Sequence, residues 1–402
     1  MDVPHLGCLP AMNRLLTRHY LGARYRTLLH PLDRPPLAWV TSGAPVEILR
    51  TMGIVCVYPE NYAALVAARK QGAALCQIAE TAGYSQDLCS YARIHLGSVL
   101  EPRAAPLGGL PRPDLLVACN NICGTVVKWY QELARLLDVP LFLLDTPFLY
   151  GGSDAGAIAY ARRQLDELVA WLEQVTRRRL DPHRLRRTVA LAAQATSLWE
   201  EIRQMGRYRP SPLNVPDLFI TMGPVVTVRG TPQAVAFYRT LRAELQERVR
   251  QGVAAVPGEK LRLVWDNIAI WYRLYRFFRP FTERGACFVA DTYTAGWSVR
   301  LGDDDPLTAL ARAYTTVFLN QDVGTRAHQI EEMVRTYGVD AVVMHHNRSC
   351  KPYSGIQPVL ARALTARGIP VLMVEADMAD PRAYAEEATR NRVEAFLERL
   401  SG

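Results

Sequence analysis

Short apolar runs recur along the chain and alternate with longer segments of helical pattern. Continuous runs of about four to eight apolar, often β-branched residues are typical of strands that are buried on both faces of a parallel sheet. Such strands are predicted at residues 36–43, 53–60, 114–120 and 140–145 in the first half, and at 260–267, 286–293, 340–347 and 370–377 in the second. Because helix-forming segments separate them, the pattern predicts an α/β protein.

The two halves of the chain repeat one order of features. The segment PDLLVACNNIC (113–123) matches VDAVVMHHNRSC (339–350), since each has an acidic residue, a β-branched strand, polar residues and then a cysteine. A helical segment follows each, and then VPLFLLDTP (139–147) or IPVLMVEADMAD (369–380). The repeat predicts two doubly wound parallel-sheet domains of similar design.

Helical pattern fills the rest of the chain. We expect an N-terminal helical segment over 1–35, a first α/β domain over 36–155, a helical connection over 156–255 and a second α/β domain over 256–402. The connection is predicted to contain helices near 156–178 and 182–205, the proline-rich linker RPSPLNVP (209–216), and a helix capped by Thr231 with Pro232 at its first position.

The net charge of +8 over 402 residues raises the possibility of a nucleic-acid partner. Only four of the 47 basic residues are lysines, however, so the excess reflects a general preference for arginine rather than a binding patch. The densest group, Arg177 to Arg179 with Arg184, Arg186 and Arg187, lies at a helix end and the start of the next helix, where a solvated face is the simpler interpretation. We therefore expect no nucleic-acid partner.

The first residues, MDVPHLGCLPAMNRLL, show no basic region followed by an apolar core, and no uncharged apolar run approaches the ~18 residues that span a bilayer. The sequence therefore predicts a cytoplasmic protein with no membrane association. Thiols stay reduced in that compartment. The eight cysteines are then buried bystanders, reactive thiols or metal ligands.

The predicted elements separate these cysteines into groups. Plain burial is expected for Cys8, Cys56, Cys76 and Cys287. Cys89 lies in GYSQDLCSYARIHLG (83–97), at the predicted start of a helix, where unpaired N–H groups stabilise a thiolate. Cys119, Cys123 and Cys350 follow strands, and the functional groups of open parallel sheets gather at these carboxyl ends.

Cysteine spacing does not identify a metal site. The chain has no C-x2-C pair, no ferredoxin run and no C-x3-C-x2-C motif. Only the fold could bring Cys89, Cys123 and Cys350 together. From spacing alone a metal site, a lone reactive thiol and purely structural cysteines all remain open.

Several segments in a fixed order resemble the family of benzoyl-CoA reductase and 2-hydroxyacyl-CoA dehydratase subunits. They are GIVCVYPENYAAL (53–65), AETAGYSQDLCSYARIHLGS (79–98), CNNICGTVVKWYQELARLLDVPLFLLDTPF (119–148) and RNRVEAFLERL (390–400). The resemblance covers nearly the whole chain from about residue 36 and is weakest in the helical middle. YPEN and GYSQDLCSYAR are most similar to the smaller of the two cluster-bearing subunits of ATP-dependent benzoyl-CoA reductase.

This resemblance implies a 4Fe–4S cluster held by three cysteines, which correspond by position to Cys89, Cys123 and Cys350. Cys119 is an extra thiol and a possible alternative to Cys123, although Cys123 is the one that matches Cys350 in the half-repeat. Three thiolates leave one iron without a protein sulfur. Hydrogen bonds to cluster sulfurs are expected from Asn120, Asn121 and Asn347, for which helix capping and turn formation are an equal alternative.

Substrate contacts are expected from Glu60 and Asn61, which end the second strand, and from His346. For Asn61 a capping role is equally plausible. His345 and His346 end the strand before Cys350; one of them would serve as a proton donor, while a core histidine is the commoner outcome.

The resemblance implies an iron–sulfur subunit of an ATP-dependent benzoyl-CoA reductase that passes single low-potential electrons to an aromatic acyl-CoA. The alternatives are a 2-hydroxyacyl-CoA dehydratase acting through a ketyl radical and a non-catalytic electron-transfer or scaffold subunit of either complex. The chain has no G-x-x-x-x-G-K-[ST] motif, so the ATP-hydrolysing, electron-activating subunits would be separate. A homologous second cluster-bearing subunit and a low-potential ferredoxin-type donor are the other expected partners.

Overall fold

Two four-stranded parallel sheets form the framework of the molecule, a computed structural model that describes residues 6–29, 34–302 and 305–401. The first sheet contains β1 (Leu37–Val40), β2 (Val55–Val57), β3 (Leu115–Cys119) and β4 (Leu141–Leu144). The second contains β5 (Leu261–Asp266), β6 (Ala286–Asp291), β7 (Ala341–Asn347) and β8 (Val371–Ala376). All eight predicted strands are present, and the α/β fold with two units of similar design is confirmed.

The two sheets have the same topology. Their strand orders are β2-β1-β3-β4 and β6-β5-β7-β8, with every pair parallel. In each sheet the chain runs from the first strand to one edge and then returns to the other side, so the order reverses between β1 and β3 and between β5 and β7. Ligand-binding groups of open α/β sheets collect beyond the strand ends at such a reversal.

Helices connect and cover the strands. The N-terminal and first-sheet helices are α1 (Leu9–Tyr25), α2 (Val46–Thr51), α3 (Pro59–Ala68), α4 (Gly72–Thr81), α5 (Ser90–Leu100) and α6 (Gly124–Leu137). The connecting helices are α7 (Ala155–Thr176), α8 (Pro182–Gln204), α9 (Val215–Thr221), α10 (Gly223–Thr227) and α11 (Pro232–Gln251). The second half adds α12 (Leu274–Thr282), α13 (Thr292–Ala295), α14 (Pro306–Thr315), α15 (Val323–Tyr337), α16 (Lys351–Ser354), α17 (Gln357–Thr365) and α18 (Glu386–Ser401).

The helical connection lies where the sequence pattern predicts it. Asp154 and Asp181 cap α7 and α8, and the Thr231 hydroxyl accepts a hydrogen bond from the Ala234 amide at the start of α11. These caps satisfy amides that have no partner within the helix. The predicted domain boundaries themselves stay a prediction. Residues 1–5 and 30–33 of the predicted N-terminal segment lie outside the described ranges.

Each face of both sheets is buried in an apolar cluster that extends across the two halves. Alternate strand residues such as Val40 and Val343 pack with the connecting helices in one cluster. Their neighbours Trp39 and Val342 pack in the other cluster with α3 to α6, α15 and α17. Burial on both faces explains why the strands are continuous apolar runs. Among the described helices, none is long and apolar enough to cross a membrane.

Candidate functional site

Three cysteines stand at the starts of helices. Cys89 precedes α5, Cys123 precedes α6 and Cys350 precedes α16. Burial raises the pKa of each thiol, and hydrogen bonds from backbone amides of the first helical turn lower it by a smaller amount. Amides at a helix start have no partner within the helix, so they are suited to a thiolate or to the sulfurs of a cluster.

The fold brings these three cysteines into one buried region, called the thiol site below. Burial, followed by the charges of Cys89 and Cys123, raises the pKa of Cys350 well above its ordinary value. Burial also raises the pKa of Cys89 to about 12, with a contribution from Cys123. The Ser90 amide donates to the Ser349 hydroxyl at 3.0 Å, which joins the two halves directly beside Cys89 and Cys350.

A buried carboxylate supports this junction. The hydroxyl of Ser349 donates to Asp377, which follows β8, and the Ser349 amide donates to the same carboxylate at 3.2 Å. The Ser90 and Ser349 hydroxyl oxygens lie 3.2 Å apart. The other oxygen of Asp377 accepts the amides of the next turn, so its position is fixed by its own loop. The network holds the loops of two thiols at a constant separation.

Cys119 belongs to a different environment. It is fully buried at the end of β3, where its amide donates to the Thr41 hydroxyl at 3.1 Å. Burial raises the pKa of Cys119 to about 12, and the Asn121 amide and the Thr146 hydroxyl lower it. Its side chain packs in the apolar cluster on the opposite sheet face from Cys350. The other cysteines expected to be plain core residues, Cys8, Cys56, Cys76 and Cys287, are all buried.

The first pair of predicted asparagines already has hydrogen-bond partners within the chain. The Asn120 amide donates to Asp145, and its carbonyl accepts the Thr146 amide at 2.8 Å. The Asn121 amide donates to the carbonyls of Gly43 at 3.1 Å and Tyr314 at 2.8 Å. Gly43 allows this approach, because a Cβ there would lie 2.4 Å from the Asn121 carbonyl oxygen. Both side chains therefore act structurally in the chain as it stands.

Asn347 differs from these two. It is fully buried at the end of β7, and its backbone carbonyl accepts the Cys350 amide at 3.1 Å. The side-chain carbonyl accepts the Met378 amide at 3.3 Å. The Asn347 Nδ2 has no hydrogen-bond partner among the described residues. A buried donor without a partner is costly, and here it lies on the loop of a thiol-site cysteine.

Glu60 is the most unusual acid near the thiol site. It lies in the first turn of α3 and accepts the amide and hydroxyl of Ser42, which follows β1, at 2.6 and 2.8 Å. Burial raises the pKa of Glu60 to about 7, and the Ser42 hydrogen bonds lower it. Its charge in turn adds to the effect of burial in raising the pKa of Cys123. A carboxyl that titrates near neutral pH is suited to carrying a proton.

The remaining predicted contacts are placed as follows. The Asn61 carbonyl accepts the Tyr20 hydroxyl at 2.5 Å, which ties α3 to α1. His345 is fully buried, its Nδ1 lies 2.7 Å from the Ile268 carbonyl, and burial lowers its pKa to about 4, as expected of a neutral core histidine. His346 is half-buried on the opposite face of β7, and its Nδ1 has no partner within the described part of the chain.

Aromatic side chains complete the surroundings and were not predicted from the sequence. Tyr91 lies two residues after Cys89, and its hydroxyl accepts the indole N–H of Trp271 from the second half. Tyr293 hydrogen-bonds to Tyr91. Burial raises the pKa of Tyr293, and the charges of Glu60 and Cys350 raise it further, which locates it between these groups. The YARIHLG context reads as ordinary helix, so sequence carries no signal for this pairing.

No group of three or more histidine, cysteine, aspartate or glutamate side chains in the described ranges is close enough to hold a single metal ion. This finding separates a mononuclear site from a cluster site. In a cluster each thiolate binds its own iron, so the sulfurs stand further apart than the ligands of one ion. The arrangement therefore excludes a preformed mononuclear centre of such side chains within the described ranges.

Known proteins similar to this chain are subunits of acyl-CoA enzymes. It is 33% identical over 365 residues to the (R)-phenyllactyl-CoA dehydratase alpha subunit of Clostridium sporogenes, which covers 90% of this chain and 89% of the relative. It is 33% identical over 370 residues to the (R)-2-hydroxyisocaproyl-CoA dehydratase alpha subunit of Clostridioides difficile, with 90% of each chain covered. A benzoyl-CoA reductase subunit of Thauera aromatica is 28% identical over 372 residues, which cover 88% of this chain and 85% of the relative.

The family model described as 2-hydroxyglutaryl-CoA dehydratase, D-component, matches residues 41–400. That range includes both sheets and all three cysteines of the thiol site. The resemblance seen in the sequence is confirmed at the level of the family. The chain is a member of the 2-hydroxyglutaryl-CoA dehydratase D-component family, which includes the dehydratase and benzoyl-CoA reductase subunits named above.

Proposed function

We propose that this chain is the cluster-bearing subunit of an ATP-dependent acyl-CoA enzyme, with a 4Fe–4S cluster held by Cys89, Cys123 and Cys350. One observation carries the proposal. Three thiols from both halves of the chain, each at the start of a helix, share one buried region.

The chemistry of these residues fits an iron–sulfur cluster. The burial of the thiols and their mutual charges oppose ionisation in the metal-free chain. Iron would offset that cost, because metal binding deprotonates thiol ligands. The helix-start amides and the unpartnered Asn347 Nδ2 supply hydrogen-bond donors of the kind that cluster sulfurs accept.

With three protein thiolates, the bound cluster would supply single electrons and one open iron position to a substrate. The side chains of this chain supply the rest of the site. Glu60, with a pKa of about 7, holds or accepts a proton next to Cys123. Tyr91 and Tyr293 exclude water from the same region and stay protonated, because burial raises the pKa of both.

Two substrate classes are consistent with this site. Reduction of benzoyl-CoA is supported by the YPEN and GYSQDLCSYAR resemblance and by the similarity to the benzoyl-CoA reductase subunit. Dehydration of a 2-hydroxyacyl-CoA is supported by the similarity to the dehydratase alpha subunits at 33% identity. These identities are too close to separate the two. In both cases we propose a homologous second subunit, a separate ATP-hydrolysing activator and a low-potential ferredoxin-type donor as partners.

The cluster is tested by anoxic purification and iron and sulfide analysis. We expect about one 4Fe–4S unit per chain, with loss or distortion of its spectrum in the single variants Cys89→Ser, Cys123→Ser and Cys350→Ser. Cys76→Ser and Cys119→Ser are the matched controls and should retain iron. Iron near zero after anaerobic reconstitution of a folded chain, or retention in all three ligand variants, would refute the assignment.

The substrate is tested on the assembled complex with its activator. Benzoyl-CoA and a 2-hydroxyacyl-CoA are supplied in parallel with ATP and a strong reductant, and dienoyl-CoA and enoyl-CoA products are followed. ATP consumption in proportion to reduced benzoyl-CoA supports the ring reductase. Turnover of the hydroxyacyl-CoA alone, with ATP needed only catalytically, assigns the chain to the dehydratases.

A further inference from the structure

A buried arginine lies directly behind the loop of Cys350. Arg326 is only 2% exposed. Its guanidinium carbon lies 4.6 Å from the ring centre of Phe318 and 5.4 Å from that of Tyr353. Its Nη1 donates to the carbonyl of Pro352 at 2.9 Å. Pro352 and Tyr353 belong to α16, the short helix that begins immediately after Cys350.

The charge of Arg326 lacks the partner that comparable arginines have. Its Nε and Nη2 have no hydrogen-bond partner among the described residues. The buried arginines Arg203 and Arg229, in contrast, pair with glutamates at 2.7 and 2.6 Å, and Arg262 also pairs with one. A buried cation without an anion is costly, so its retention needs an explanation.

Asp266 is the nearest structural candidate for a counter-ion, but its oxygens are engaged elsewhere. They accept hydrogen bonds from Thr292 at 2.7 Å and from Gln357 at 2.6 Å. Burial also raises the pKa of Asp266, which disfavours its charged form. Burial lowers the pKa of Arg326, and the charges of Asp266, Tyr353 and Cys350 oppose that effect. Cys350 is therefore one of the negative groups that Arg326 senses.

The position of Arg326 along α15 adds to the cost. It is the fourth residue of a helix that begins at Val323, close to the positive end of the helix dipole. Cations are disfavoured there, and the helix itself gives no reason to place one. Packing between two aromatic rings accounts for its stem and plane but not for its charge, which a neutral side chain of similar size would avoid.

We propose that Arg326 is the fixed counter-charge of the thiolate at Cys350 and raises the reduction potential of the cluster bound at the thiol site. The inference rests on the proposed function. Reduction adds one electron to the cluster, and a nearby cation in a region of low dielectric favours the form with more negative charge. Arg326 is a positioning residue in this account, since it acts through the Cys350 loop rather than on the substrate.

The test is a redox titration of the anoxic, reconstituted chain, followed by the electron paramagnetic resonance signal of the reduced cluster. Arg326→Gln should shift the midpoint to lower potential, so that the ratio of reduced to oxidised cluster at fixed potential falls about tenfold, or about 59 mV for a one-electron couple. Arg326→Lys, which keeps the charge, should stay much closer to wild type. Arg203→Gln is the matched control and should leave the midpoint unchanged.

Each outcome decides one of the two claims. Wild-type protein without iron overturns the proposed function together with this inference. Iron-loaded Arg326→Gln with the wild-type midpoint overturns the inference alone, as does a shift of equal size in Arg326→Lys. Loss of iron from a folded Arg326→Gln but not from Arg326→Lys supports it. If Arg326→Gln does not fold, the midpoint of Arg326→Lys decides, and a tenfold change there contradicts the counter-charge.

Discussion

The two sheets share one strand order but pair the same positions differently. In the first, the residue after β4 is Asp145, which accepts the side-chain amide of Asn120 and the hydroxyl of Tyr160. In the second, the residue after β8 is Asp377, and it accepts the hydroxyl of Ser349 instead. Asn347, which stands three residues before its cysteine as Asn120 does, is left with an unpartnered amide nitrogen among the described residues.

This difference shows how a repeated framework divides its work. In the first half the asparagine and the aspartate satisfy each other and fix the strand ends. In the second half the aspartate extends to Ser349 and through it to Ser90 of the first half. The first half supplies two of the thiols and Glu60. The second supplies one thiol, a buried cation and a free donor, so the two halves complement rather than duplicate each other.

The strongest test of this division is the junction between the halves. Arg93 of α5 contacts Glu80 at 2.5 Å and Asp380, beyond β8, at 2.9 Å, and its side chain is only 4% exposed. Removing one partner of a buried ion pair costs about 3–5 kcal/mol. We expect Arg93→Met to lower the free energy of unfolding by about 3 kcal/mol in urea, since Arg382 still neutralises both acids.

The control for this junction is an exposed pair within the first half. Arg135, which is 68% exposed, pairs with Glu132, and Arg135→Met should cost at most about 1 kcal/mol. Hydrogen bonds from Arg382 and Arg93 lower the pKa of Glu80 below 4.5, although burial opposes them. Its contribution is therefore present above pH 4.5 and lost as the pH falls below that value. Equal losses in Arg93→Met and Arg135→Met would show that the halves do not depend on the junction.

Sequence predicted the framework because its signals are local. The eight apolar runs and the half-repeat located every strand and the starts of the helices at Cys89 and Cys123. The contact between Ser90 and Ser349 joins residues 259 positions apart, and no local pattern encodes it. Arg326 likewise reads as an ordinary helix residue in GTRAHQIEEM, and only tertiary packing shows that it is buried.

A second prediction uses Glu60, the acid that only the first half contributes to the thiol site. Burial raises the pKa of Glu60 from 4.5 to about 7, with the Ser42 hydrogen bonds opposing the shift. The folded chain therefore binds a proton more tightly than the unfolded chain, and stability falls as the pH rises from 4.5 through 7. Glu60→Gln should be more stable than wild type by about 1–3 kcal/mol at pH 8, with no such gain at pH 4.

Thermal unfolding of the metal-free chain across pH 4–8 checks this prediction. Glu132→Gln is the control, because an exposed arginine rather than burial governs its surroundings and hydrogen bonds from Arg135 and Tyr84 lower its pKa to about 2. A pH profile of Glu60→Gln that runs parallel to wild type would show that Glu60 is ionised at no cost. In that case its proposed role as a proton carrier would lose its basis.

A third prediction separates two cysteines that are four residues apart. Cys119 is fully buried in the core cluster, whereas Cys123 is half-buried at the start of α6. We expect Cys119→Ser to cost about 1 kcal/mol of stability and to retain iron. Cys123→Ser should leave the stability of the metal-free chain nearly unchanged and abolish cluster binding. The reverse pattern would make Cys119 the ligand and break the correspondence between Cys123 and Cys350.

The smallest effect is expected where the two halves differ by one hydrogen bond. Asn120→Ala removes the amide that Asp145 accepts and the carbonyl that holds Thr146, so the metal-free chain should lose about 1–2 kcal/mol. Asn347→Ala removes one contact, to the Met378 amide at 3.3 Å, together with a donor that has no partner among the described residues. Removal of an unsatisfied buried group offsets the lost contact, so we expect a change below about 0.5 kcal/mol. If the free donor serves a cluster sulfur, the same variant should lower the reduction potential of the reconstituted chain, while Asn120→Ala should not. A loss of stability in Asn347→Ala as large as that in Asn120→Ala, with no change in potential, would mean that both asparagines only fix strand ends.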